Sequence, residues 1–122
     1  IEHALSGYYD ITHGEGLAII APHWMRHVLN ERTQERIVKF GVNVFGLAAD
    51  QAPSEIAEQT IARTAQFFKS LGMPMTLREV GIDDSRLEEM AHHIAVNEGL
   101  DAPGTFAPLN EQDILSILKA AL

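Results

Sequence analysis

The sequence predicts an all-α domain, a bundle of about five or six helices. Three observations carry that expectation. Apolar residues recur at three- and four-residue spacing along most of the 122 residues. Helix-starting and helix-stopping residues fall between the periodic stretches. No alternating apolar and polar run is long enough to build a sheet; Thr76 to Val80 is the best strand candidate, and it is too short to stand alone.

The chain opens inside a helix that carries His3 near its end. Ser6 and Gly7 are poor helix formers and mark its stop, which leaves Tyr8 to Thr12 as a loop. A second helix begins around His13 and Gly14 and places Ala18, Ile19, Ala21, Met25 and Leu29 on one stripe. Pro22 falls inside that pattern and predicts a kink or a fresh start, because it lacks a donor and crowds the preceding turn. Thr33 is expected to cap a third helix that begins at Gln34 and carries Ile37, Phe40, Val44 and Leu47. Pro53 and Ser54 start a fourth, with Ile56, Ile61, Ala65, Phe68 and Leu71 on its stripe, and Leu71-Gly72-Met73-Pro74 stops it. Ser85 and Glu88 form the pattern of a capping box ahead of Leu87, Met90, Ala91, Ile94 and Ala95. Asp101 to Pro108 reads as a loop. Asn110 opens the last helix, where Glu111 and Asp113 suit the positive dipole end and Ile114, Ile117, Leu118 and Ala121 form the buried stripe. Trp24, Phe40, Phe45, Phe67 and Phe68 are assigned to the core.

Composition narrows the function. Nine basic residues against seventeen acidic give a net charge of −8, so nucleic acid and anionic membrane surfaces are poor partners. The absence of cysteine excludes a disulfide framework, a thiolate nucleophile and any Cys-ligated metal, and fits a cytoplasmic setting. The longest apolar runs, such as Leu17 to Pro22, are far too short to span a bilayer. No basic-then-apolar leader opens the chain. Its first residue is Ile1, already in helical sequence, which points to a piece of a longer protein.

Six histidines are the chemical feature to weigh. His23 and His27 share a helix face, but Trp24 stands where the zinc-protease pattern needs a glutamate, so they read as half-exposed surface residues. His92 and His93 are adjacent and diverge by about 100° on a helix, which prevents shared ligation. His13, at a helix start beside Gly14 and Gly16, is favoured as a neutral imidazole by the dipole, as a metal ligand must be. It serves equally well as a capping residue in a tight turn, and the residues alone leave both roles open. Gly14-Glu15-Gly16 lacks the preceding strand and third glycine of a dinucleotide loop. Asp83-Asp84 is a turn and cap pair.

The stretch Ile1-Glu2-His3-Ala4-Leu5-Ser6-Gly7-Tyr8-Tyr9-Asp10-Ile11-Thr12-His13-Gly14-Glu15-Gly16-Leu17-Ala18 resembles a motif of the iron-containing alcohol dehydrogenases, in particular their butanol dehydrogenase branch. Pro22-His23-Trp24-Met25, Phe67 to Pro74 and the closing Leu109 to Leu122 extend the resemblance over essentially the whole chain. The resemblance implies a dehydroquinate synthase-like C-terminal helical domain spanning 1–122, whose N-terminal nucleotide-binding half is absent here. It implies a divalent metal, Fe2+ or Zn2+, held by one Asp and three His, of which only His13 lies in this chain. It implies a pocket role for His3, beside the nicotinamide or as a proton relay to the substrate. The parent enzyme would then interconvert small alcohols and aldehydes by hydride transfer with NAD(P), the metal acting as Lewis acid. Tyr8 and Tyr9 are either pocket or packing residues.

The leading expectation is therefore the metal and substrate domain of an NAD(P)-linked alcohol dehydrogenase. Alone it should be inactive, hold metal weakly, and expose apolar surface that the missing half or self-association covers. The alternative is an autonomous helical interaction module without catalysis. Last comes an independent metal-binding bundle built from His3, His13, His23 and His27.

Overall fold

The computed structural model describes residues 1–122 and consists of six α-helices with no strand. They are α1 (Glu2–Tyr9), α2 (His13–Val28), α3 (Gln34–Phe45), α4 (Pro53–Ser70), α5 (Leu87–Asn97) and α6 (Glu111–Ala120). A short 3-10 turn, Arg78–Val80, occupies the segment where the best strand candidate lay.

The apolar spacing of α2 explains the architecture. One part of its surface, with Ile19, Ile20 and Val28, joins the main core with Leu5 of α1, Leu87, Met90 and Ile94 of α5, and Ile114, Ile117 and Leu118 of α6. Another part, around Met25, meets Ile37 of α3 and Ala57 and Ile61 of α4 in a smaller core. α2 thus lies between the α3–α4 hairpin and the α1–α5–α6 group. Pro22 is buried within α2, and the helix neither ends nor restarts there. The missing proline N–H leaves the Ala18 carbonyl without its helical donor, and packing on both sides holds the helix together.

Helix ends account for most of the departures from expectation. α1 runs through Ser6 and Gly7 and stops at Asp10, which takes a left-handed conformation (φ 55°). Tyr8 and Tyr9 are therefore helical, not part of a loop. Ser6 spends its hydroxyl on the Glu2 side chain, and one helical glycine costs only about 1 kcal/mol, too little to end the helix against a core. Thr33 flanks α3 but does not cap it by side chain. Its buried hydroxyl donates to the Val28 carbonyl at 2.6 Å and so closes the α2–α3 turn. The expected Ser85–Glu88 box is also absent. Ser85 bonds Asp83 through both N–H (2.9 Å) and hydroxyl (2.5 Å), and α5 starts without a side-chain cap. The box at Asn110 and Asp113 is present, with Asn110 Oδ1 accepting from the Asp113 N–H at 2.9 Å.

Two aromatic residues assigned to the core lie outside it: Phe40 is 39% exposed and Phe67 51%. α3 turns Ile37 and Gly41 toward α4, and Phe40 sits about 100° away from Gly41 on the helix. Trp24, Phe45 and Phe68 are half-buried.

Candidate functional site

Three residues, Asp10 to Thr12, connect α1 to α2. Thr12, not His13, is the cap of α2: its hydroxyl accepts from the Glu15 N–H, while the Glu15 carboxylate accepts from the Thr12 N–H at 3.2 Å. His13 is thereby released from capping and stands as the first helical residue, with its ring free to meet α1. The start of α1 lies beside the first two turns of α2, which brings Glu2, His3 and His13 together.

One nitrogen or oxygen from each of these three side chains lies within 4.8 Å of the others. The His3 and His13 rings stack with centroids 5.7 Å apart and 26° between planes. Both rings are largely exposed, whereas Glu2 is only 5% exposed. Both oxygens of the buried carboxylate have a partner. One oxygen accepts from the Ser6 hydroxyl and the other pairs with His13 Nδ1. His3 Nδ1 stands 3.8 Å from a Glu98 carboxylate oxygen.

These groups form one wall of a cavity of about 410 Å3. Leu17, Ile20, Ala21 and Trp24 continue the wall along α2, and Leu100, Phe106 and Leu109 close the other side. His13, Leu17, Ile20, Ala21 and Trp24 follow helical spacing, so a single face of α2 presents both the imidazole and the apolar lining. The Thr105 hydroxyl, also at the cavity, has no hydrogen-bond partner. Leu17 remains 45% exposed on this side. The Trp24 and Phe106 rings meet at 5.9 Å, and Arg32 holds the loop by donating to the Phe106 carbonyl at 3.1 Å.

The remaining histidines stand apart from this cluster. His27 Nε2 pairs with Asp113 Oδ1 at 3.0 Å, and His92 Nδ1 with Glu111 at 3.0 Å. His93 meets the Tyr8 ring edge-on at 5.8 Å. Burial, reinforced by the Arg26 charge, pushes the His23 imidazole below its ordinary range. A four-histidine centre using His23 and His27 is thus not formed. Tyr8 packs under the Arg86 guanidinium at 4.4 Å, and neither tyrosine lines the cavity.

Glu2 is the site residue that the histidine spacing did not single out. Its signal was present in the sequence: Ser6 lies one helical turn on, and Gly16 is the residue that makes room. A methyl group at Gly16 would stand 2.6 Å from Glu2 Cγ and 2.7 Å from its Oε1.

The family model for "Fe-containing alcohol dehydrogenase family, C-terminal" matches residues 1–122. NADH-dependent butanol dehydrogenase A of Clostridium acetobutylicum is 46% identical over 119 residues, which cover 98% of this chain and 30% of that protein. 1,3-Propanediol dehydrogenase of Klebsiella pneumoniae is 31% identical over 122 residues, covering 98% of this chain and 30% of that one. Among solved structures, NADH-dependent butanol dehydrogenase A of Thermotoga maritima superposes with a TM-score of 0.83 at 29% identity, over 98% of this chain and 31% of that one. An E. coli aldehyde reductase shares the fold at a TM-score of 0.86 and 20% identity, over 99% of this chain and 31% of its own. The chain spans about 30% of the length of the curated relatives it matches.

Proposed function

The chain belongs to the Fe-containing alcohol dehydrogenase family, and from that membership we propose that it is the metal- and substrate-binding helical domain, 1–122, of an NAD(P)-dependent alcohol dehydrogenase. The observation that carries the reading is the convergence of His3, His13 and Glu2 on the wall of an apolar cavity. A nucleotide-binding half, lying N-terminal to Ile1, is the proposed partner.

The donor set fits a divalent metal. Imidazole nitrogen suits Fe2+ and Zn2+ alike. With Nδ1 engaged by Glu2, His13 keeps Nε2 as a neutral donor, and it is the residue that would hold the ion. Each Glu2 oxygen is already paired, one with Ser6 and one with His13, so we assign Glu2 to the support of His13 and not to the metal. One or two imidazoles leave a coordination sphere unfilled, so the remaining ligands, one Asp and two His, are assigned to helical sequence N-terminal to Ile1 and not to the nucleotide-binding half. When bound, the ion would polarise an alcohol or carbonyl oxygen, and a nicotinamide would accept or donate the hydride.

The chain's own residues do the rest. Leu17, Ile20 and Trp24 give the cavity an apolar wall that fits a short alkyl chain, which orients a small alcohol or aldehyde with its oxygen toward the imidazoles. His3, stacked on His13 at the same wall, is assigned to contact with the nicotinamide ring or to a proton relay from the substrate oxygen toward solvent. This assigns His3 a pocket or proton-relay role and His13 a role in metal binding.

The test uses the product of the whole reading frame that contains this sequence. Purified protein should carry a divalent metal and oxidise NADH or NADPH with butanal. His13→Ala should lower both metal content and turnover by at least the roughly 10–100-fold that losing a hydrogen-bond partner of a metal ligand costs. His3→Ala should keep the metal and lower turnover. Full activity and full metal content in His13→Ala would contradict the assignment.

A further inference from the structure

We infer that Glu2 is a positioning residue for His13: its buried carboxylate fixes the imidazole with hydrogen on Nδ1 and leaves Nε2 as the nitrogen that would bind a metal. The inference rests on the reading of His13 as a ligand and adds a second layer to it. Three observations and one rule of chemistry support it. Glu2 is 5% exposed, and a carboxylate is seldom buried without a specific partner. Its oxygens are divided between the Ser6 hydroxyl and His13 Nδ1, so it is held at one end by its own helix and reaches the next helix with the other. An ionised carboxylate only accepts hydrogen bonds, which places the proton of a neutral His13 on Nδ1 and leaves the lone pair on Nε2. Finally, Gly16 sits one turn after His13, and a side-chain carbon there would enter the space of Glu2 Cγ and Oε1. The glycine of this turn is needed for the carboxylate to reach the histidine.

A carboxylate behind a ligating histidine sets the tautomer, holds the ring plane and raises the basicity of the donor nitrogen. Loss of such a partner weakens metal binding by about 10–100-fold. The amide in Glu2→Gln can still accept from Nδ1 but carries no charge. Glu2→Leu accepts nothing. Gly16→Ala leaves the carboxylate in place chemically and displaces it sterically.

The experiment measures metal affinity by competition with a chromogenic chelator, and the visible spectrum of the Co2+-substituted protein, in the full-length enzyme. Wild type, His13→Ala, Glu2→Gln, Glu2→Leu and Gly16→Ala are compared, with thermal midpoints recorded for each. Glu2→Leu should lose about 10–100-fold in affinity, Glu2→Gln less, and the Co2+ ligand-field bands should shift in both while the Glu2→Gln midpoint stays near wild type. Gly16→Ala should weaken metal binding in the same direction. Glu2 variants that bind within twofold of wild type with unshifted bands overturn the inference if His13→Ala has lost the metal. A Glu2→Gln loss as large as that of His13→Ala makes Glu2 a ligand and also overturns it. If His13→Ala binds as tightly as wild type, the reading of the ligand itself has failed.

Discussion

At the scale of single residues, the close approach of Gly16 and Glu2 controls the site. Gly16→Ala alone forces the Glu2 side chain away from His13 and should destabilise the protein by about 1–3 kcal/mol. In a Glu2→Ala background the obstruction is gone. The same change should then stabilise by up to about 1 kcal/mol, because alanine is the better helix former. A double-mutant cycle by denaturant unfolding reads the change of sign. His23 supplies a second prediction at this scale. Its folded-state pKa lies below the unfolded value because burial and Arg26 disfavour the imidazolium. The unfolded state therefore binds the extra proton first. The stabilising difference is complete above the ordinary histidine value of about 6.5 and is lost as pH falls through the lower folded value. Unfolding midpoints measured from pH 7.5 to 5 should decline, and His23→Asn should flatten that decline.

Between elements, the glycines of α1 and α3 behave oppositely for a physical reason. Gly41 lies where α3 meets α4, and a side-chain carbon there would overlap the Thr60 hydroxyl and stand 3.0 Å from Leu47 Cδ1. Gly7, within α1, has nothing within 4 Å of the corresponding position. Gly41→Ala should cost about 1–3 kcal/mol; Gly7→Ala should gain up to about 1 kcal/mol. Thermal unfolding of the two variants side by side tests the pair, and equal effects would contradict the packing described. Legibility from sequence divides along the same lines. Helix interiors could be read because burial repeats with the helical period, as in Ile114, Ile117 and Leu118. Helix ends were harder, because a hydroxyl has several local partners and only tertiary structure chooses. Ser6 went to Glu2, Ser85 to Asp83 and Thr33 to the Val28 carbonyl. Asn110 could be read because both halves of its box lie within one turn.

For the molecule as a whole, α2 joins the two cores and presents one face to the cavity. The stripe read for α2 is Ala18, Ile19, Ala21, Met25 and Leu29; the face with His13, Leu17, Ile20, Ala21 and Trp24 has helical spacing too, and periodicity cannot distinguish a stripe that faces a cavity from one that faces a core. His3 and His13 stood out through their motif. Glu2 did not, because an acid in the first turn of a helix ordinarily reads as dipole compensation, and its burial depends on Gly16 in another helix. The site also looks unfinished at this scale. Its two imidazoles are exposed, Leu17 is 45% exposed beside them, and the one carboxylate of the cluster is held by Ser6 and His13. Chain 1–122 alone should therefore bind Zn2+ more weakly than micromolar, measured by chelator competition. Micromolar or tighter binding would mean that these residues complete a metal centre without a second domain.

The most direct test of the account is the metal content of the product of the whole reading frame that contains this sequence, determined by plasma mass spectrometry after exhaustive dialysis, for wild type and His13→Ala together. The account predicts close to one divalent ion per chain in the wild type and almost none in the variant. Equal metal content in both would show that His13 is not a ligand and would remove the basis for the proposed chemistry.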